Sequence, residues 1–196
     1  KGYNGAILKL GKKFNILNYK ENFIEAGASI LDINLSKFAR NNQIKNFEFF
    51  SGIPGTIGGA IKMNAGCFGS ETKDFLYEVN LIDSSGNKKI INKKNLNLQY
   101  RSSNIKDSDI ITSAKFIAMI GDIQNIENKI NKIKNTREKT QPIKEITSGS
   151  TFKNHSNFSA AELIDGAGCK GLQVGDAIVS FKHANFLINK GKASSM

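Results

Sequence analysis

The sequence predicts an α+β protein in two parts, and three observations carry that reading. Strand-like and helix-like segments are interspersed without a strict βαβ order. A long amphipathic stretch ends just before Pro142, where the chain must leave the helical region. The remainder of the chain is shorter and punctuated by glycine, so the parts are predicted as 1–139 and 140–196.

Residues 23–26 are apolar and alternating and stop at Gly27, which reads as a strand. Ser29 is placed to cap a helix to about residue 41, with Ile30, Ile33 and Phe38 on one face. Across 51–69 periodicity gives way to glycine. Residues 79–83 and 89–92 flank Ser84-Ser85-Gly86-Asn87, a hairpin signal. Residues 110–119 read as a further strand. Over 122–138, Ile123, Ile126, Ile130 and Ile133 recur at three- and four-residue steps and predict an amphipathic helix. Beyond Pro142 come a Gly-Ser turn, a helix over 159–165 and glycine-punctuated segments to 189.

An apolar fraction of 39% is ordinary for a globular chain and argues against disorder. No apolar run approaches the length of a membrane span, and no signal-peptide pattern opens the chain. The two cysteines, Cys67 and Cys169, are in neither CxxC nor Cys/His spacing, which fits a reducing compartment and offers no metal site. The formal charge of +11 is spread among many Asn and Ile residues, as AT-rich coding supplies, and no nucleic-acid motif accompanies it. The opening Lys1-Gly2-Tyr3-Asn4-Gly5 reads as the middle of a loop and the last residues as polar, so the chain reads as a piece of a longer protein.

The most informative stretch is Gly52-Ile53-Pro54-Gly55-Thr56-Ile57-Gly58-Gly59, followed by Asn64-Ala65-Gly66. It is neither a Walker loop nor a GxGxxG. Four glycines in eight residues remove side chains and allow a flat ligand to lie against exposed peptide N–H groups. Pro54 restrains the loop, and Ile53 and Ile57 are placed to wall an aromatic ring. On glycine content alone, a structural turn cluster is the ordinary reading. Tyr100-Arg101-Ser102-Ser103 is in isolation an ordinary surface pair. Ser150, in Gly149-Ser150-Thr151-Phe152-Lys153-Asn154, is in isolation a turn serine, without the GxSxG elbow of a hydrolase.

Together these strings resemble the UDP-N-acetylenolpyruvoylglucosamine reductases, and most closely the shorter, second type. The resemblance runs along almost the whole chain and is strongest at 52–66, 100–103, 148–154 and 175–189. It implies the second FAD-binding subdomain of the vanillyl-alcohol-oxidase/PCMH-like fold over 1–139, then part of an α+β substrate-binding domain over 140–196. It implies FAD against the 52–59 run and Asn64, Ala65 and Gly66, with NADPH as hydride source. The implied substrate is UDP-N-acetylglucosamine enolpyruvate, in cytoplasmic peptidoglycan precursor synthesis by a monomer, without nucleic acid, membrane or metal.

By the same resemblance, Arg101 is a catalytic residue beside a substrate-binding Tyr100. A guanidinium is permanently charged and presents a planar fork to a carboxylate that gains charge as an enolate. Ser150 is the implied proton donor to one alkene carbon while hydride from flavin N5 reaches the other. Asn154 matches a substrate-binding position, although a turn-stabilising role suits it as well. His155 departs from the family pattern, where proline often follows, and both His155 and His183 read as ordinary histidines. The family's N-terminal Gly-Ser-Asn phosphate loop has no counterpart here, and its C-terminal catalytic glutamate would lie beyond Met196. These residues alone are therefore expected to hold FAD weakly. Two other readings compete: an alcohol- or hydroxy-acid-oxidising flavoenzyme, which has no use for a proton-donating serine, and a basic binding module sensitive to salt.

Overall fold

The computed structural model describes residues 4–155 and 157–194. The expected loop start at Lys1, Gly2 and Tyr3 and the terminal Ser195 and Met196 lie outside the described residues. The chain divides into a larger unit, Ile7–Lys134, and a smaller one built from Asn135 onward together with residues 4–6.

The larger unit contains β1 (Leu17–Lys20), β2 (Phe23–Gly27), α1 (Asp32–Asn41), β3 (Ile44–Lys45), α2 (Ile57–Lys62), β4 (Gly66–Cys67) and β5 (Ser70–Glu71). It continues through α3 (Thr72–Phe75), β6 (Leu76–Ile82), β7 (Lys88–Asn92), β8 (Ile110–Ile117) and β9 (Met119–Ile120). Then α4 (Ile123–Thr140) carries the chain across the division. Five strands form an antiparallel sheet in the order β1-β2-β8-β6-β7. Its strands alternate, so one face supplies Ile24, Ala26, Val79, Leu81, Ala114 and Phe116 to the core. Phe47, Phe50 and Phe116 meet there with ring centroids about 6 Å apart, the edge-on approach of Phe116 suiting the ring quadrupoles.

The predicted hairpin forms as β6 and β7, closed by Asp83 N–H donating to the Asn87 carbonyl at 3.0 Å. The helix expected to start at Ser29 begins later. Leu31 is its N-cap, and the Ser29 hydroxyl instead donates to the Phe14 carbonyl at 2.7 Å. The buried face of the helix is Asp32, Leu35, Ser36 and Ala39, and Ile33 is exposed. Helix α4 forms as its isoleucines predict, with Ile126 and Ile133 buried, and ends before Gln141-Pro142.

The smaller unit holds β10 (Thr147–Ser150), α5 (Ala160–Gly166), β11 (Gln173–Val174), β12 (Ala177–Val179) and β13 (Phe186–Asn189). Its antiparallel sheet has the order β10-β13-β12-β11. Ser159 caps α5, its hydroxyl oxygen accepting from the Glu162 N–H at 3.5 Å. Each unit thus mixes strands and helices, the α+β class expected from the sequence.

Candidate active-site elements

The glycine run is more ordered than its composition suggests. Its second half is helix α2, packed against β2 and β8. The peptide N–H groups of Ile57 and Gly58, expected to face a ligand, donate instead to the Ile30 and Ala28 carbonyls at 2.9 and 3.0 Å. Ile57, expected to wall a ring, is fully buried in the core, because the first turn of α2 directs it inward. Ile53 is half-buried against that core, while Pro54 and Gly55 are exposed and Thr56 half-buried.

Most of these glycines answer to packing within the larger unit. A Cβ on Gly52 would lie 3.0 Å from Cys67 Sγ, on Gly55 2.9 Å from an Asp32 oxygen, and on Gly58 3.2 Å from the Ala28 Cβ. On Gly66 it would meet the Ser70 carbonyl at 2.5 Å. Gly59 is different. It is exposed, and a Cβ there would come no closer than 3.8 Å to any side chain. A glycine within a helix costs up to about 1 kcal/mol relative to alanine. Among the described residues nothing crowds Gly59, and with the exposed Pro54 and Gly55 it leaves a bare strip on the loop that is open to a flat ligand.

Asn64 is fully buried, and its backbone is left-handed, with φ +41°. Its amide NH2 donates to Glu71 Oε2 and to the Gln99 carbonyl, both at 3.0 Å. Its Oδ1 accepts from the Lys73 N–H at 2.9 Å. Its side-chain nitrogen and oxygen thus bond to protein partners. Burial works to raise the Glu71 pKa, but hydrogen bonds from Lys73 and Asn64 and the charges of Lys73 and Arg101 outweigh it and hold it below the ordinary range.

Tyr100 and Arg101 form a two-residue turn closed by mutual N–H to carbonyl bonds between Gln99 and Ser102, each 3.2 Å. Arg101 takes left-handed backbone at φ +54°, an uncommon conformation outside glycine. Its guanidinium donates to the Gly66 carbonyl at 2.6 Å and to the Asn64 carbonyl at 3.4 Å, and lies over the Tyr100 ring, 4.8 Å from its centroid. The larger unit therefore gathers Asn64, Ala65, Gly66, Tyr100 and Arg101 into one cluster.

In the smaller unit, the expected Gly-Ser turn is the end of a strand. Pairing steps from Thr147–Ile188 to Ser150–Phe186, so β10 carries one extra residue in a β-bulge. Gly149 accommodates it at φ +88°, a region that side chains disfavour, although a Cβ there would meet nothing within 4 Å. Ser150 is left exposed at the bulged end.

Just after Ser150, the buried Asn185 takes the Phe152 N–H at 2.9 Å and donates to the Phe152 carbonyl at 2.8 Å, like a strand partner. Thr151 N–H adds a bond to the Asn185 carbonyl. Sequence reasoning misses Asn185, because an Asn in a short string carries no sign of a contact 33 residues away. Asn154 Oδ1 accepts from the Ala160 N–H at 3.0 Å, the local turn-stabilising role. His183 is held below its ordinary pKa by burial, while its backbone hydrogen bond opposes and nearby Lys170 assists.

Residues 141–196 match the family model described as UDP-N-acetylenolpyruvoylglucosamine reductase, C-terminal domain. Residues 1–91 match one described as FAD binding domain. Over 194 residues the chain is 45% identical to the UDP-N-acetylenolpyruvoylglucosamine reductases of Rickettsia typhi and Rickettsia prowazekii, covering 99% of this chain. The chain belongs to the UDP-N-acetylenolpyruvoylglucosamine reductase family.

It spans 66% of the length of those two relatives. The solved UDP-N-acetylenolpyruvylglucosamine reductase of Thermus caldophilus superposes with a TM-score of 0.83 at 32% identity, over 92% of this chain and 66% of that one. The reductase fold, an FAD-binding domain with an α+β substrate domain, is therefore present. Among the described residues no helix is long and apolar enough to cross a membrane, and no cluster of His, Cys, Asp or Glu is arranged to hold a metal ion.

Proposed function

We propose that the protein to which this chain belongs reduces UDP-N-acetylglucosamine enolpyruvate to UDP-N-acetylmuramate with NADPH, in the cytoplasmic synthesis of peptidoglycan precursors. FAD, when bound against Pro54, Gly55 and Gly59, supplies the hydride chemistry of the reaction. Ala65 and Gly66 contribute backbone to the same edge, whereas Ile57 and Asn64 support it from within.

Arg101 stabilises negative charge that develops on the substrate carboxylate. Its anchors, the Gly66 and Asn64 carbonyls, are neutral oxygens that fix the plane of the guanidinium without cancelling its charge. The Tyr100 ring lies against the ion and braces it. Ser150 donates its hydroxyl proton to the alkene carbon opposite the one that receives hydride, and the resulting alkoxide is reprotonated from solvent.

The observation that carries this reading is the bulge at Gly149, which brings the family's Gly-Ser pair to an exposed strand end braced by Asn185. The test is anaerobic half-reaction kinetics on the full-length protein, comparing wild type with Ser150→Ala. Reduction of the flavin by NADPH is expected to stay within about threefold. Reduction of the enolpyruvyl nucleotide is expected to fall by about 10²- to 10⁴-fold, the range for loss of a positioned acid. Equal losses in both half-reactions would remove Ser150 from the role.

A further inference from the structure

We propose that Asn64 is a positioning residue for Arg101, and that Glu71 keeps Asn64 in place. The proposal rests on the charge-stabilising role given to Arg101 above. It gives Asn64 a function different from the cofactor contact that its place in the Asn-Ala-Gly string suggests.

Asn64 acts on Arg101 by two routes. Its side-chain NH2 holds the Gln99 carbonyl, which is the base of the turn that presents Tyr100 and Arg101. Its own main-chain carbonyl, with that of Gly66 two residues on, provides the oxygens that the guanidinium grips. The same side chain thereby ties the turn to the surface against which Arg101 lies. Both Asn64 and Arg101 sit in left-handed backbone, and non-glycine residues there require support from their surroundings.

Glu71 completes the arrangement. It stands opposite Gly66 in the β4–β5 pair and accepts from Asn64 on Oε2, while Lys73 Nζ meets the same oxygen at 2.7 Å. An amide can be flipped so that oxygen and nitrogen exchange places. Here the Glu71 carboxylate and the Gln99 carbonyl both require the NH2 group, and the Lys73 N–H requires the oxygen. Three protein groups therefore specify one orientation. A buried side chain with both amide donors and its oxygen engaged by protein groups can hold a neighbouring element to a fraction of an ångström.

The test is a double-mutant cycle between Asn64→Asp and Arg101→Ala on the FAD-loaded full-length protein, with Glu71→Gln as a milder probe. Asn64→Asp keeps the acceptor for Lys73 but removes both donors and sets a carboxylate against Glu71. We expect it to retain FAD with an unchanged visible spectrum and to slow the enolpyruvyl half-reaction about tenfold to a hundredfold. In the Arg101→Ala background the same change is expected to slow it less than about threefold, because both substitutions remove one function.

A second readout does not depend on turnover. In full-length protein with 15N-labelled arginine, the Arg101 Nη–H groups that donate to the Asn64 and Gly66 carbonyls are expected to exchange slowly with solvent, and to lose that protection in Asn64→Asp. Glu71→Gln is expected to give a smaller effect in the same direction, and it decides the question if Asn64→Asp does not fold. Additive losses in the cycle, or unchanged exchange at Arg101, overturn the proposal. Loss of FAD with both half-reactions slowed equally overturns it in favour of a cofactor contact. If Arg101→Ala by itself leaves turnover unchanged, the functional reading of Arg101 has failed, a result distinct from failure of the Asn64 link.

Discussion

Replacing Asp32 by asparagine should stabilise the protein at neutral pH and leave it unaffected in acid. Asp32 is fully buried at the first position of α1, and neither carboxyl oxygen has a hydrogen-bond partner among the described residues. Ser36, one turn along, is buried in the same condition. Burial pushes the Asp32 carboxyl up from 3.8 to about 7. Below pH 3.8 the group is protonated in both folded and unfolded chains and imposes no penalty. As pH rises towards 7 the unfolded chain ionises first, so folding must hold a proton and stability falls.

A shift of about three pH units corresponds to a loss of about 4 kcal/mol. The Asp32→Asn variant has no proton to lose at this position, so its stability should lack this slope. Urea unfolding at a series of pH values from about 4 to 8 measures the gap. It should be near zero at the acid end, open by about 4 kcal/mol through neutrality, and then stay flat. A gap independent of pH would show that Asp32 does not titrate as its burial requires. A variant less stable than wild type at about pH 8 would show that the carboxylate is ionised and paired.

Two further outcomes test the site. Gly59→Ala should raise the stability of the larger unit by up to about 1 kcal/mol, since nothing crowds its Cβ, yet weaken FAD binding about tenfold or more; urea unfolding and a flavin fluorescence titration of full-length protein read the two effects, and unchanged FAD affinity would take the bare strip out of the cofactor site. Gly149→Ala should cost about 1–2 kcal/mol through backbone strain alone, because φ is +88° and the space is open. Enolpyruvyl reduction should slow in that variant while flavin reduction by NADPH does not, and an equal slowing of both would mean that the bulge does not serve Ser150.

The Asn64 cluster explains how a rigid charge can be displayed from a turn. Turns are ordinarily the mobile parts of a fold, yet a guanidinium that stabilises a transition state must be fixed before the substrate arrives. In this chain the turn is closed by its own backbone pair and tied at its base by Asn64, and its arginine is folded back onto two carbonyls. In the smaller unit Asn185 does the same for the segment after Ser150. Each unit thus uses one buried asparagine to brace a short, irregular stretch of main chain.

Local patterns along the chain were enough for the class of fold, the β6–β7 hairpin, helix α4 with its end before Pro142, and the family. Side-chain periodicity, turn composition and a contiguous string are all read over a few residues. The start of α1 escapes such a reading, because Ser29 is a good cap by type but a bond to the carbonyl of Phe14 claims its hydroxyl. The glycine run is legible as special, but not which glycines serve packing and which leave an open surface, since that depends on Cys67, Asp32 and Ala28 arriving from elsewhere in the chain. It took the folded arrangement to put Ile57 in the core, to commit Asn64 to Glu71 and Gln99, and to bring Ser150 to the strand end through the bulge. Hydrogen bonds and close packing between distant segments set those outcomes, and distance along the chain does not reveal distance in space.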